Sequence, residues 1–243
     1  MAAPSIAKLK VKIYADGADK DGMVALAKEK HIKGFTTNPT LMRKAGVTDY
    51  AAFAKEVVKA IPDKSISFEV FSDDFAEMER QARIIHSWGK NVFIKIPVMN
   101  TRKKSSASLV KRLSAEGIPL NVTALFTLKQ VAEMVDALSP KSPAIISVFA
   151  GRIADSGHDP VGIMREAKRL MKKLPKAELL WASTRELYNL FQAEEAGTDI
   201  ITLPHDLLKK IGMVGRDHTD MSHEMVTMFY EDGQKVGYRL YEA

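Results

Sequence analysis

The sequence predicts an α/β chain folded as a single (β/α)8 barrel, the TIM-barrel architecture, with an extra C-terminal helix. Three observations carry the expectation. Eight short β-rich runs recur along the 243 residues, amphipathic helical stretches separate them, and no linker breaks the alternation. Strict β-then-α alternation specifies a parallel sheet, and eight units favour closure over an open sheet. An open doubly wound sheet ranks second because Asp16-Gly17-Ala18, after the first run, lacks the glycines of a nucleotide-binding loop.

The strand candidates, in order, are Val11–Tyr14, Gly34–Thr36, Ile66–Val70, Val92–Ile96, Leu120–Thr123, Ala144–Val148, Glu178–Ala182 and Asp199–Leu203. Between them, Phe75, Met78, Ala82 and Ile85 recur at helical spacing over 73–88, with Gly89 placed to cap that helix. Thr127 and Gln130 form a capping-box pattern ahead of Val131, Met134, Val135 and Leu138. Asp159-Pro160 is an N-cap followed by Pro at the first helical position. Ser183 with Glu186 is a second capping box, opening a helix that carries Leu187 and Leu190. The stretch 217–240, with Met221, Met225, Met228, Phe229 and Val236, is a final helix that covers either its own barrel or a neighbouring subunit. Residues 1–243 are expected to form one domain.

Composition narrows function by exclusion. The 46% apolar content supplies a sizeable core, and the absence of cysteine excludes disulfides, thiolate metal sites and thiol nucleophiles. No apolar run reaches the roughly 18 residues of a membrane span, and Met1–Lys10 lacks a signal-peptide core, so a soluble cytoplasmic protein is expected. The six histidines are scattered, with no pair at ligand spacing, and no metal is expected. Against 30 Asp and Glu, 36 Lys and Arg leave a formal charge of +6. That excess fits an enzyme for anionic metabolites, a basic surface or a nucleic-acid binder. The basic clusters Arg102-Lys103-Lys104, Lys168-Arg169, Lys172-Lys173 and Lys209-Lys210 lack interleaved aromatics, which weakens the nucleic-acid reading.

Strands of a parallel barrel are covered on both faces and should be almost continuously apolar. Here Asp16, Glu69, Lys95, Asn121, Thr123 and Ser147 interrupt them at or near their C-terminal ends, the end where barrel enzymes carry their sites. A lysine between Ile94 and Ile96 in a dry barrel is disfavoured as an ammonium, which makes its nucleophilic form accessible. An amine of that kind forms Schiff bases with ketones and draws electrons from a neighbouring carbon–carbon bond. Proton carriers are also required, and Asp16 and Glu69 are the candidates. The alternative is that Lys95 lies on a solvated edge or forms a structural ion pair with Glu69.

These residues resemble the transaldolase family, class I aldolases related to fructose 6-phosphate aldolase. The likeness spans Tyr14-Ala15-Asp16-Gly17-Ala18, Thr36-Thr37-Asn38-Pro39-Thr40, Phe68-Glu69-Val70, Ile94-Lys95-Ile96-Pro97, Asn121 to Thr127, Ser147 to Ile153, and Trp181 to Arg185, in the family's order. The resemblance implies that Lys95 is the Schiff-base nucleophile, that Asp16 handles the alcohol proton, and that Glu69 and Thr123 position a water. It implies that Asn38 and Asn121 hold donor hydroxyls beside Ser147, and that Arg152, Ser183 and Arg185 bind phosphate. Asn38 before Pro39 equally suits a local cap.

Glu69 and Phe149 stand where the aldolase branch carries Gln and Tyr, which implies transfer of a dihydroxyacetone unit between sugar phosphates of the pentose phosphate pathway rather than free cleavage. No cofactor, nucleic acid or membrane partner is implied. The small branch implies a ring-like homo-oligomer, a pentamer or decamer, with the final helix packed on a neighbour. The segment Met99 to Ser106 is more basic than the family's turn, and is either a solvated loop or a contact for an acidic substituent.

Overall fold

A computed structural model describes residues 5–241; residues 1–4 and 242–243 of the expected domain lie outside them. Eight parallel strands close into a barrel in chain order. They are β1 (Lys12–Asp16), β2 (Ile32–Thr36), β3 (Ser65–Glu69), β4 (Val92–Pro97), β5 (Leu120–Leu125), β6 (Ala144–Val148), β7 (Ala177–Trp181) and β8 (Ile200–Pro204). Each sequence-predicted run falls on its strand to within two residues.

Alternation along each strand divides the apolar residues into two cores. One set, including Ile13, Phe35, Phe68, Ile94, Val122, Ile146, Trp181 and Ile201, packs with the surrounding helices into the main core. The other set, Tyr14, Ile145, Leu180, Ala182 and Ile200 with Phe93 and Phe149, packs inside the barrel. Tyr14 donates to or accepts from Ser65 Oγ at 2.7 Å across that interior. Gly34 makes room for it, since a Cβ there would stand 2.6 Å from the Tyr14 ring and 2.8 Å from Ser65 Oγ. The barrel therefore has an apolar filling, and polar side chains begin two residues further along the strands.

The helical ends follow the local chemistry at most positions. Thr127 and Gln130 form the reciprocal capping box, and Asp159 caps a helix with Pro160 at its start. The helix predicted over 73–88 spans Phe75–His86, with Asp74 as N-cap and Ser87 as C-cap. Gly89 does not cap it. That glycine sits against the neighbouring helix, where a Cβ would meet Val58 Cγ1 at 2.5 Å.

The final helix runs from His218 to Val236 between the Asp217 cap and left-handed Gly237 (φ 71°), and none of its residues is buried. Met225, Met228 and Phe229 are exposed on it. Its apolar residues are thus not covered by its own barrel. No helix among the described residues is long and apolar enough to cross a membrane.

The crowding at Gly34 has a measurable consequence. Gly34→Ala overpacks the interior and should lower stability by about 1–3 kcal/mol in urea unfolding. Gly212→Ala, where nothing lies within 4 Å, should change it by under about 0.5 kcal/mol.

Candidate active site

Lys95 extends inward from β4 and is only 6% exposed. Its Nζ lies 3.1 Å from Glu69 Oε2 and donates to the Thr37 carbonyl at 2.8 Å. Parallel pairing sets the first contact, because Glu69 and Lys95 are register partners on adjacent strands and both point inward. The barrel is closed, so Lys95 does not lie on a sheet edge. Of the two structural alternatives raised by the sequence, the ion pair is present, and it is placed at the C-terminal end of the barrel.

Asp16 closes β1 on the same interior level. Its Oδ1 accepts from Thr36 Oγ1 at 2.7 Å, and Thr36 Oγ1 lies 2.6 Å from Thr202 Oγ1. Because the Thr36 proton is given to Asp16, Thr202 must be the donor in the second bond, producing a Thr202→Thr36→Asp16 chain. Burial pushes the Asp16 carboxyl above the ordinary carboxylate range; the charge of Lys95 and the bond from Thr36 oppose it.

A second buried chain lies across the interior. Ser147 Oγ donates to Asn121 Oδ1 at 2.7 Å, and Asn121 Nδ2 donates to Ser67 Oγ at 3.0 Å. All three are buried. Asn121 is thereby fixed in orientation with one amide hydrogen left over. Thr123 pairs with Pro97 on the β4 side, while on the β6 side the register shifts between Val122 and Leu125, where Ala124 has φ 62°. A non-glycine residue in that region costs about 1–3 kcal/mol and persists only where packing over-determines it. Thr123 Oγ1 is buried without a protein partner. Phe149 is half-buried and leans on Phe126, with ring centroids 5.6 Å apart.

Asn38 caps the helix Pro39–Lys44, its side chain accepting the Leu41 N–H at 3.0 Å. The local-cap reading is therefore correct for its oxygen. Thr37, its neighbour, is the residue of this turn that touches Lys95.

The expectation for Ser183 requires correction. Ser183 is not a helix cap: its φ is 60°, and the helix starts at Asn189 rather than directly after Ser183. Asn189 Oδ1 takes the Arg185 and Glu186 N–H groups instead. Tertiary packing overrides the capping-box pattern, since Thr184 Oγ1 is tied to the Thr202 carbonyl and the Ser183 carbonyl abuts Gly151 so closely that a Cβ there would stand 1.7 Å away. This contact brings the segment of Arg152 against that of Ser183 and Arg185. Arg152 is exposed, and Arg185 is paired with Asp155.

The basic segment after β4 is a closed turn. Asn100, 6% exposed, accepts the Arg102 and Lys104 N–H groups, while Thr101 bonds both carboxylate oxygens of Asp73. Arg102, Lys103 and Lys104 are exposed on it. Among the described residues, no three His, Asp or Glu side chains come together in a metal-holding group.

Sequence reasoning missed Thr36, Thr37, Ser67 and Thr202. Ser67 and Thr202 carried the same signal as the residues it found, a polar side chain interrupting a buried strand.

A closed β/α barrel with a buried lysine paired to a half-buried carboxylate at the C-terminal ends of its strands defines the molecule's class. The sequence pattern of the family described as transaldolase/fructose-6-phosphate aldolase matches residues 13–240. The chain belongs to this enzyme family. A "Probable transaldolase" of Dehalococcoides mccartyi is 31% identical over 202 residues, covering 83% of this chain and 90% of that one. One from Thermoplasma volcanium is 35% identical over 209 residues, covering 84% and 87%. One from Thermoanaerobacter is 33% identical over 231 residues, covering 95% and 100%. Among solved structures, a Streptococcus agalactiae chain assigned to the copper homeostasis protein CutC superposes with a TM-score of 0.60 at 11% identity, covering 79% of this chain and 97% of that one, which concerns the fold alone.

The raised Asp16 carboxyl sets the sign of a stability effect. Between the unfolded and folded pKa values the native state holds the extra proton, so the group's contribution to stability falls as pH rises through that window. Asp16→Asn should therefore be more stable than the parent at pH 7. The advantage should vanish as pH is lowered below about 3.9, the unfolded carboxyl value. Urea unfolding from pH 3.5 to 7.5 reads both outcomes.

Proposed function

We propose that the protein is a transaldolase, moving a dihydroxyacetone unit from a ketose phosphate, fructose 6-phosphate or sedoheptulose 7-phosphate, to an aldose phosphate through a Schiff base on Lys95. The observation that carries this reading is the buried Lys95 amine, held between Glu69 and the Thr37 carbonyl, with the separate carboxylate Asp16 on the same level. Two carboxylates in different surroundings suit two proton roles.

In the proposed sequence Lys95, having passed a proton to Glu69, attacks the ketose C2 carbonyl. The carbinolamine hydroxyl leaves as water, protonated from the Glu69 side, and an iminium remains. Asp16 accepts the C4 hydroxyl proton as the C3–C4 bond breaks; the bond pair moves onto the iminium, leaving an enamine, and the first aldose phosphate departs. The enamine then attacks the acceptor aldehyde carbon, and Asp16 returns the proton to the new alkoxide. Water placed by Glu69 and Thr123 hydrolyses the iminium and frees the ketose. Asn38 and Asn121, beside Ser147, bind the donor hydroxyls, Phe149 lines the site, and Arg152, Ser183 and Arg185 take the phosphate as charge-assisted partners.

Transfer is favoured over free cleavage by Glu69 and Phe149. The basic clusters offer little support for nucleic-acid binding, because Lys168 pairs with Asp199, Arg169 with Glu166 and Lys173 with Asp136. The uncovered face of helix His218–Val236 supports a ring-like homo-oligomer, a pentamer or decamer, and solution mass should be a corresponding multiple of 26.9 kDa.

Borohydride with fructose 6-phosphate should leave a reduced adduct on Lys95, found by peptide mass. Lys95→Ala should lose the adduct and at least about 10³-fold of the activity, a floor below the roughly 10⁶-fold that loss of a covalent nucleophile can cost. A lysine that never forms an adduct overturns the proposal. Release of free dihydroxyacetone at an equal rate with and without an aldehyde acceptor would instead establish an aldolase.

A further inference from the structure

β2 and β3 pair only through Gly34–Thr36 and Ser65–Ser67. Beyond Thr36 the chain turns away to Asn38 and the helix Pro39–Lys44, so the next outward peptide groups of β3 have no strand beside them. Those groups are the N–H and C=O of Glu69. Both are taken by one side chain: the Tyr50 hydroxyl accepts the Glu69 N–H at 2.9 Å and donates to the Glu69 C=O at 2.9 Å. The other side of the strand is already held, with the Val70 N–H bonded to the Lys95 carbonyl at 3.0 Å.

The phenol has little freedom. Its ring meets Phe68, Phe71 and Trp88 at centroid distances of 6.3, 5.5 and 5.8 Å. It is the first residue of helix Tyr50–Ala60, whose cap Asp49 is bonded to Ala52 N–H. Burial holds the phenol far above its ordinary pKa, so it stays a donor throughout the neutral range. A strand end clamped at both peptide atoms fixes the direction in which its side chain leaves, and that side chain is the carboxylate 3.1 Å from Lys95 Nζ.

We propose that Tyr50 is a positioning residue for the Schiff-base steps, a backbone clamp that keeps the Glu69 carboxylate aimed at Lys95 and at the water it activates. This role rests on the reading of Lys95 and Glu69 given above. Misplacement of a catalytic group by about 1 Å can slow a step by roughly 10²-fold, so the loss of both bonds should appear in chemistry and not in donor affinity.

The test is Tyr50→Phe, which keeps the ring and removes only the hydroxyl. Its expected signature is a fall in kcat of tenfold or more with donor KM within twofold, matched by an equal fall in the single-turnover rate of borohydride trapping on Lys95. Rates are taken per trappable site, so partial unfolding lowers the amplitude and leaves the rate. Trp88→Phe loosens the same aromatic packing without touching the hydroxyl; it should lower the unfolding midpoint and trap at the parent rate. Trapping of Tyr50→Phe at the parent rate overturns the clamp, as does equal slowing in Trp88→Phe, which would show a packing effect only. No adduct on the parent protein would overturn the Schiff-base reading itself, and the clamp with it, a result distinct from either failure.

Discussion

The pairing of buried Lys95 with half-buried Glu69 is the constraint around which the upper barrel is organised. Bringing an ammonium and a carboxylate out of water costs several kcal/mol each, and their attraction recovers this only with good geometry and satisfied hydrogen bonds. The surroundings supply both. Thr37 offers its carbonyl to the amine, Tyr50 fixes the peptide that carries the carboxylate, and register pairing sets the two strands side by side. Removal of Glu69 would leave the buried Lys95 amine without its counter-ion, a change that typically costs about 3–5 kcal/mol where the remaining charge is buried. Apolar residues would fill the same space at less risk, so stability is a poor account of the pair.

Most of the remaining polar interior is bonded into separate chains, while Asp16 also feels the charge of Lys95. The Thr202–Thr36–Asp16 chain and the Ser147–Asn121–Ser67 chain are bonded within themselves and not to the pair, with one Asn121 amide hydrogen left over. Two carboxylates therefore coexist near one lysine in different states of solvation and bonding. Asp16 is pushed upward by burial, whereas Glu69 lies 3.1 Å from the amine. The backbone bears part of the cost, as Ala124 and Ser183 both adopt left-handed conformations next to residues that face the site.

How much of this was legible in the sequence depends on the range of the cause. Strands and most caps are local, and runs such as Val92–Ile96 or the Thr127–Gln130 box identify themselves. The site showed itself as period-two exceptions, polar residues at inward positions of strands that should be apolar, which is why Asp16, Glu69, Lys95, Asn121 and Ser147 could be picked out. Ser183 failed because a Ser-x-x-Glu pattern describes a helix start only when the backbone is free to make one. Here Gly151, 32 positions earlier, packs against the Ser183 carbonyl. Tyr50 escaped for a different reason. Its partner is a main-chain group 19 residues away, and no side-chain pattern records what a peptide bond needs.

The filling of Tyr14, Phe93, Ile145, Leu180 and Ile200 beneath the polar layer gives the barrel a floor. Whatever reaches Lys95 arrives from the strand C-termini and must leave by the same opening. A molecule carrying a fragment away and another coming to receive what stays behind cannot pass through in line; they take turns at one door. For the group transfer proposed above this imposes alternation, in which the first product clears the mouth before the second reactant enters, and a fragment left on the protein would have to outlast the interval.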